Sequence, residues 1–163
     1  MLTCRIEPWL RTWLPDEAAD GLHEHFDIIP KVKSFEGFFF SPRLNFFVGV
    51  SGSGRTRLLE RMKITSGLPN LPVLPSMAIE SLSLGEIVFA VGLRLLESMP
   101  TSAALLCDDL CHMLDDGHLG ELLQKMAKSG NQAIITVTPG ELERVERLMR
   151  EMGVSEYEVN WLA

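Results

Sequence analysis

The stretch LNFFVGVSGSGRTRLLERM, residues 44–62, changes character twice: an apolar run leads into a glycine-rich loop, and the loop leads into helix-forming residues. The first part predicts a strand, and the last part predicts a helix that begins directly after the glycines. The loop GVSGSGRT, at 49–56, fits the phosphate-binding pattern G-x-x-x-x-G-K-[ST] at every fixed position but one, where Arg55 replaces the lysine. A strand, a glycine loop and a helix in this order predict an α/β fold with an anion site where the helix begins.

The residues of the loop are suited to binding phosphate groups. Gly49, Gly52 and Gly54 let backbone N–H groups approach phosphate oxygens, and the following helix turns its positive end toward them. The Thr56 hydroxyl is a candidate ligand for Mg²⁺, while Arg55 keeps the charge of the missing lysine on a wide planar group. We therefore expect nucleotide binding with slow turnover. A glycine-rich turn without a ligand is the alternative.

The rest of the chain alternates predicted strands and helices. Strands are predicted at 28–29, 36–40, 44–50, 103–109, 132–138 and 156–162, helices at 5–26, 55–62, 81–99, 117–130 and 141–153, and an irregular loop at 65–77. This alternation favours a mostly parallel sheet with helices on both faces. We expect a single domain over 1–163, made of a helical extension at 1–30, a nucleotide-binding core at 36–140, and a final helix and strand at 141–163.

Composition and charge are those of an ordinary soluble globular protein. Of the 163 residues, 46% are hydrophobic and 23% are charged, and the formal net charge of −7 argues against nucleic-acid binding over the whole surface. We interpret the three cysteines as reduced thiols, with Cys107 buried and Cys111 in a loop. No run is long and apolar enough for a signal peptide or a membrane span, so we expect a cytoplasmic protein.

The predicted strand at 103–109 ends in two acids, in the stretch ALLCDDL at 104–110. Nucleotide hydrolases need one acid for Mg²⁺ and a second for the attacking water. We assign Asp108 to the metal, directly or through water, and Asp109 to the water; capping of the next segment is the alternative. The segment SLSLGE, at 81–86, opens a predicted helix, and there an N-cap serine is the alternative to a binding role.

The motifs GVSGSGRT, LSLGE, LLCDDLCHMLDD and QAIITVT, in this order, resemble the head of ABC-type ATPases, and within that superfamily the RecF/SMC branch. LSLGE is similar to the LSGGE/Q signature, with Leu84 in place of a glycine, and the acids of the third motif look like the DD…LDD of that branch. The resemblance covers 36–140. It implies a P-loop NTPase fold, ATP and Mg²⁺ as cofactors, and ATP held between two heads.

The resemblance also implies a role for each matched residue. Thr56 and Asp108 would hold Mg²⁺, Asp109 would orient the water, and Arg55 would stabilise charge on the phosphates. Thr138 would stand near the γ-phosphate, where ABC transporters use a histidine. The residues that would wrap the phosphates are Gly49, Ser51, Gly52, Ser53, Gly54, Arg55 and Thr56.

Other implied roles connect two subunits. Ser83 and Gly85 would reach the ATP of a second subunit, and Asp115 would lie in the loop that links the two sites. The family's glutamine after the phosphate loop has no counterpart in 57–81, and that interval is too short for the helical lobe or coiled coil of RecF and SMC proteins. We expect a minimal head whose partner is a second copy or a protein that supplies the lobe. DNA is a further candidate partner that the charge does not favour, and no membrane is expected.

Two functions follow from these features. The leading hypothesis is an ATP-binding, weakly ATP-hydrolysing head that acts as an ATP-gated dimeric switch, in DNA repair or in mobile-element or defence processes. The second is a pseudo-ATPase scaffold that does no chemistry, with Trp9 and Trp13 of the predicted first helix as a partner surface. A kinase-type phosphotransferase is disfavoured because 65–81, where its lid would lie, contains no arginine.

Overall fold

The computed structural model of the chain describes residues 4–5, 26–65 and 83–163. The strands are β1 Cys4–Arg5, β2 Phe26–Pro30, β3 Leu44–Val48, β4 Ala103–Cys107, β5 Gln132–Val137 and β6 Tyr157–Trp161. The helices are α1 Arg55–Thr65, α2 Leu84–Ser98, α3 Leu110–Met113, α4 Asp116–Lys128 and α5 Pro139–Glu151. Apart from the short helix α3, every helix in these ranges lies where the hydrophobic pattern predicts one.

The strands form one six-stranded sheet in the order β1-β2-β4-β5-β3-β6. The pairs β4–β5, β5–β3 and β3–β6 are parallel, whereas β2 is antiparallel to both of its neighbours. The prediction of a mostly parallel sheet is therefore confirmed. Because β5 lies between β3 and β4, the strand that leads into the glycine loop and the strand that leads into the acids are separated by one strand only.

Helices cover both faces of the sheet, as predicted. Side chains alternate along each strand, so that Phe46 of β3 faces α2, α4 and α5 while its neighbour Phe47 faces α1. The core on the α1 side consists of Ile29, Phe47, Leu58, Leu59, Met62, Ala104, Leu106 and Ile134. The clusters on both faces of the sheet are buried. Packing against the sheet therefore fixes the position of α1 and, with it, the loop that directly precedes α1.

The predicted strand at 36–40 is wrong. Glu36 and Gly37 have φ of 48° and 79°, and the Phe38 N–H donates to the Phe35 carbonyl at 2.9 Å, so the chain makes a tight turn here. The aromatic run is nevertheless used for packing, because the Phe38 ring lies edge-on to Phe47 with ring centroids 5.1 Å apart. Its apolar letters reflect core contacts rather than strand pairing.

The prediction of a helical extension at 1–30 is wrong at both of its described ends, since Cys4–Arg5 and Phe26–Pro30 are strands that pair with each other in the sheet. The predicted first helix between them, with Trp9 and Trp13, lies outside the described residues, and so does the predicted loop after Thr65. Among the described helices, none has the length and apolarity that crossing a membrane requires.

The two cysteines near the acids are free and buried. Cys111 lies in the helix α3 with 1% of its surface exposed, so the prediction of a loop thiol is wrong. Burial raises the pKa of the Cys111 thiol to about 12 and that of Cys107 well above its usual value. Both thiols therefore stay protonated and pack as small apolar side chains.

Candidate functional site

The loop, the acids and the end of β5 meet at one edge of the sheet. The parallel register pairs Val48 with Val137 and Cys107 with Ile135, so the segments that follow β3, β4 and β5 leave the sheet side by side. The Gly49 N–H donates to the Val137 carbonyl at 3.1 Å and ties the start of the loop to β5. Carboxyl ends of parallel strands are where open α/β sheets bind ligands.

The glycines of the loop are required by its backbone and its packing. Gly52 and Gly54 have φ of 82° and 94°, a region that side-chain-bearing residues seldom adopt. At Gly49, an added Cβ would lie 2.9 Å from the Ser53 Cβ and 3.4 Å from the Arg55 Cγ. The loop therefore folds back on itself, with the Ser53 side chain and the Arg55 stem against the Gly49 backbone.

The N-terminus of helix α1 has backbone N–H donors that are not used in the described hydrogen bonds. Its side-chain charges are unfavourable there unless an anion is bound. Its first described hydrogen bond runs from the Leu58 N–H to the Gly54 carbonyl at 2.9 Å, and none of the described bonds uses the N–H groups of Arg55 or Thr56. The first turn contains no acid and two arginines, Arg55 and Arg57. Positive side chains oppose the helix dipole there by about 0.3–1 kcal/mol each, and an anion would offset both effects.

Thr56 connects the loop to the acids. Its Oγ1 donates to Asp108 Oδ2 at 2.7 Å, across 52 positions of sequence. The other oxygen, Asp108 Oδ1, accepts a hydrogen bond from Thr136 Oγ1 at 2.6 Å, and Thr136 Oγ1 in turn accepts from the Asp109 N–H at 3.0 Å. Both predicted magnesium ligands are thus in direct contact, and both acids are joined to one threonine of β5.

Asp109 has an unusual backbone and a carboxylate that is not used for helix capping. Its φ and ψ are 57° and 29°, the left-handed region that aspartate tolerates better than most residues. It precedes the short helix α3, but its side chain makes no capping hydrogen bond. Capping therefore does not explain the second acid. Its half-exposed carboxylate lies 3.8 Å from the Arg55 Nη1, at the mouth of the loop.

Within the described part of the chain, two buried polar atoms of the loop have no hydrogen-bond partner: Ser53 Oγ and Arg55 Nη1. A buried donor without a partner costs about 1–3 kcal/mol. The Arg55 side chain is 16% exposed, so water reaches little of it. A phosphate held in the loop would offer acceptor oxygens to both atoms and a negative charge to Arg55, so the residues present fit a phosphate group.

The start of α2 is built by a capping box. Ser83 Oγ accepts from the Glu86 N–H at 3.2 Å, and Glu86 Oε1 accepts from the Ser83 N–H at 3.3 Å. A Cβ added at Gly85 would lie 2.8 Å from the carbonyl oxygen of Met113, at the end of α3. The N-cap alternative thus describes Ser83, and the role of Ser83 and Gly85 toward a second subunit's ATP stays a prediction.

Asp115 and Thr138 also begin helices. Asp115 Oδ1 accepts from the His118 N–H at 2.8 Å, and Thr138 forms a second capping box with Glu141, whose N–H donates to Thr138 Oγ1 at 3.2 Å. The hydrogen bonds from His118 lower the pKa of Asp115. Thr138 lies at the loop edge of the sheet, directly after Val137, but its hydroxyl serves the cap of α5. The roles of both residues toward ATP stay predictions.

Thr136 is the site residue that the sequence reasoning missed. It is fully buried, on the same face of β5 as Ile134, which belongs to the core under α1. A hydroxyl inside the otherwise apolar run AIITV was the available signal. Only the register of β5 against β4 shows that Thr136, and not Thr138, lies beside Asp108. The sequence alone does not predict this register.

The described residues contain no group of three or more histidines, cysteines or acids that converge on one point. Mg²⁺ at nucleotide sites takes one or two protein ligands together with phosphate oxygens and water, and Thr56 with Asp108 meets that need.

No protein-family model matches the chain, and neither does any curated protein or solved structure.

Proposed function

We propose that the chain binds ATP with Mg²⁺ at the loop edge of its sheet, as a P-loop ATPase head of the ABC type similar to the RecF/SMC branch. One observation carries the proposal. The Thr56 hydroxyl and the Asp108 carboxylate, which belong to two motifs far apart in sequence, lie 2.7 Å apart. These are the two residues that the resemblance assigns to the metal.

Phosphate binding falls to the loop and to the first turn of α1. Donors in this small region are the N–H groups of Arg55 and Thr56, together with Arg55 Nη1 and Ser53 Oγ, neither of which has a hydrogen-bond partner. Arg55 and Arg57 make the first turn of α1 positive, and no acid lies in that turn. A triphosphate is the common cellular ligand whose charge and many acceptor oxygens match this set.

Thr56 and Asp108 would hold Mg²⁺, which would neutralise phosphate charge and orient the phosphate groups. Both Asp108 oxygens already accept hydrogen bonds from threonines, so this carboxylate is held in one orientation. Asp109 is the candidate for orienting water, because its carboxylate is half exposed and is not used for capping. Weak hydrolysis is the activity that this arrangement favours.

A specific contact favours the second candidate, a module that binds ATP without hydrolysing it. Arg55 Nη1 lies 3.8 Å from Asp109 Oδ1. If this pairing persists with ATP bound, the Arg55 guanidinium, which would contact the phosphates, and the Asp109 carboxylate, which would orient water, neutralise each other. The chain would then act as an ATP-controlled binding partner rather than as an enzyme.

The test is the affinity for ATP of the wild-type chain and of Asp108→Asn, measured with Mg²⁺ and with EDTA. With Mg²⁺ we expect Asp108→Asn to weaken binding by about tenfold or more, since a metal ligand is lost. With EDTA we expect equal or tighter binding, because a negative charge near the phosphates is removed. The control is Glu121→Gln, the same charge change at an exposed residue of α4. Absence of ATP binding by the wild-type chain in both buffers would overturn the proposal.

A further inference from the structure

We propose that Thr136 is a positioning residue that sets the two acids of the site relative to each other. The inference rests on the proposed function, since it assigns the two acids to metal and water. Thr136 belongs to neither the loop nor the acid motif. It acts through Asp108 and Asp109 and does not itself touch the nucleotide.

The hydroxyl of Thr136 acts both as a donor and as an acceptor. It donates its one proton to Asp108 Oδ1 at 2.6 Å and accepts the Asp109 N–H at 3.0 Å. One side chain thereby fixes the carboxylate of the first acid and the backbone of the second. Because a carboxylate can only accept and an amide N–H can only donate, the direction of both hydrogen bonds is settled.

The surroundings keep this hydroxyl in place. Thr136 is 0% exposed, and its neighbours Ile135 and Val137 are equally buried in β5. A β-branched side chain has few allowed rotamers, and here the rotamer is fixed by packing as well as by two hydrogen bonds. Water cannot replace the hydroxyl without a cavity. The geometry of the acids is therefore transmitted from the rigid centre of the sheet, where β5 lies between β3 and β4.

Asp109 depends most on this contact. Its left-handed backbone, with φ of 57°, is less favourable than ordinary conformations for a residue with a side chain. The N–H bonded to Thr136 is held at the point where the chain turns away from β4. Loss of the hydroxyl removes the hydrogen bond from that N–H and the hydrogen bond to Asp108 Oδ1, so the link between the two acids through β5 is lost.

The experiment compares Thr136→Val, which keeps the shape and removes the hydroxyl, with Thr136→Ser, which keeps the hydroxyl. The affinity for a non-hydrolysable fluorescent ATP analogue is measured with Mg²⁺ and with EDTA. We expect Thr136→Val to reduce the gain in affinity due to Mg²⁺ by about tenfold, the usual effect of one hydrogen bond to a charged group. Its affinity in EDTA should match that of the wild type, and Thr136→Ser should restore most of the gain.

A second readout needs no nucleotide. We expect the Asp109 amide to exchange with solvent deuterium about tenfold or more faster in Thr136→Val than in the wild type, and to be slow again in Thr136→Ser. Amides in the centre of α5 serve as the internal reference for global stability.

The outcomes separate this inference from the proposed function. If the wild-type chain binds the analogue and Thr136→Val keeps the full gain from Mg²⁺, the inference is wrong and the function stands. Equal weakening with Mg²⁺ and with EDTA would also overturn it, because a merely structural role acts in both buffers. If the wild-type chain does not bind the analogue, the proposed function is wrong, and unchanged exchange of the Asp109 amide would then overturn the positioning role as well.

Discussion

Arg55 stands where phosphate-binding loops have lysine, and its length changes what the site can do. Its stem lies against Gly49, and its guanidinium reaches to within 3.8 Å of the Asp109 carboxylate. A lysine ammonium is a compact point charge, whereas a guanidinium spreads its charge over a plane and pairs readily with carboxylates. The substitution thus ties the loop to the acid that would orient water.

We expect Arg55→Lys to raise the rate of phosphate release from Mg-ATP by about three- to tenfold, equivalent to about 1 kcal/mol of activation free energy. The ammonium would leave the Asp109 carboxylate free and would fit between phosphate oxygens. The control is Arg61→Lys in the same helix, where the guanidinium donates hydrogen bonds of 2.9 and 3.0 Å to the Glu36 carboxylate and not to a residue of the glycine loop.

The result also separates the two candidate functions. If Arg55→Lys binds ATP and releases no more phosphate than the wild type, other groups are misplaced and the binding-only candidate is favoured. If the rate falls, Arg55 is adapted to turnover and its pairing with Asp109 is not inhibitory.

At the scale of residues, the sequence predicts the loop and the acids because each is a local pattern. Thr56 and Asp108 were expected to serve one ion and are found in contact. Thr136 was missed because its place beside Asp108 follows from the register of β4 against β5, and two helices separate these strands in the sequence. A local sequence pattern identifies residues that act within one segment of the chain. The register of the strands determines which segments come into contact.

At the scale of secondary-structure elements, the first residues of two helices show why one short motif fits two interpretations, a helix cap and a binding motif. SLGE at 83–86 and TPGE at 138–141 are both S/T-x-x-E, and both form capping boxes. The segment SLGE was also interpreted as part of an ABC signature. Its capping box is compatible with that interpretation and does not depend on it. The two boxes share a glycine at the same helical position, Gly85 and Gly140, so their surroundings can be compared directly.

We expect Gly85→Ala to destabilise the chain and Gly140→Ala to stabilise it. An alanine Cβ at Gly85 would press on the Met113 carbonyl at 2.8 Å, which overpacks the contact at a cost of about 1–3 kcal/mol. At Gly140 an added Cβ meets nothing within 4 Å, so the ordinary gain of about 0.4–1 kcal/mol applies. Urea unfolding of both variants without nucleotide measures the difference.

Equal stability of these two variants would mean that Gly85 is not needed for packing against α3. A loss of ATP-dependent association in such a stable Gly85→Ala chain would then support the role of this glycine toward a second subunit. Under the packing role, the stability of the chain falls whether or not ATP is present.

At the scale of the whole molecule, the sheet was predictable because the strands are short apolar runs that alternate with helical patterns. The order of the strands was not, since it depends on which runs pair across the chain. The strand β2 illustrates this: Ile28 and Ile29 indicate a strand, but nothing local indicates that it pairs antiparallel with β4. The turn at Glu36–Gly37 was missed for a related reason, because the phenylalanines around it pack on β3 instead of pairing.

The proposed head would be complete only as a dimer, because the resemblance takes the loop and acids from one subunit and the start of α2 from the other. We expect phosphate release from Mg-ATP to rise faster than linearly with protein concentration, since two chains must meet around each ATP. Ser83 is exposed, as a group that approaches a partner must be.

Complementation tests this arrangement more sharply than concentration alone. Asp108→Asn lacks a working loop site and keeps Ser83, whereas Ser83→Ala keeps the loop site and lacks the partner contact. Each variant alone should be nearly inactive, while their equimolar mixture should recover about a quarter of the wild-type rate, because half of randomly formed dimers are mixed and each has one complete site. The Ser83→Ala chain also loses a helix cap, which costs about 1 kcal/mol and is checked by its unfolding curve. A mixture no more active than its components, together with a rate linear in protein, would mean that each chain works alone, and the start of α2 would then be a helix cap and nothing more.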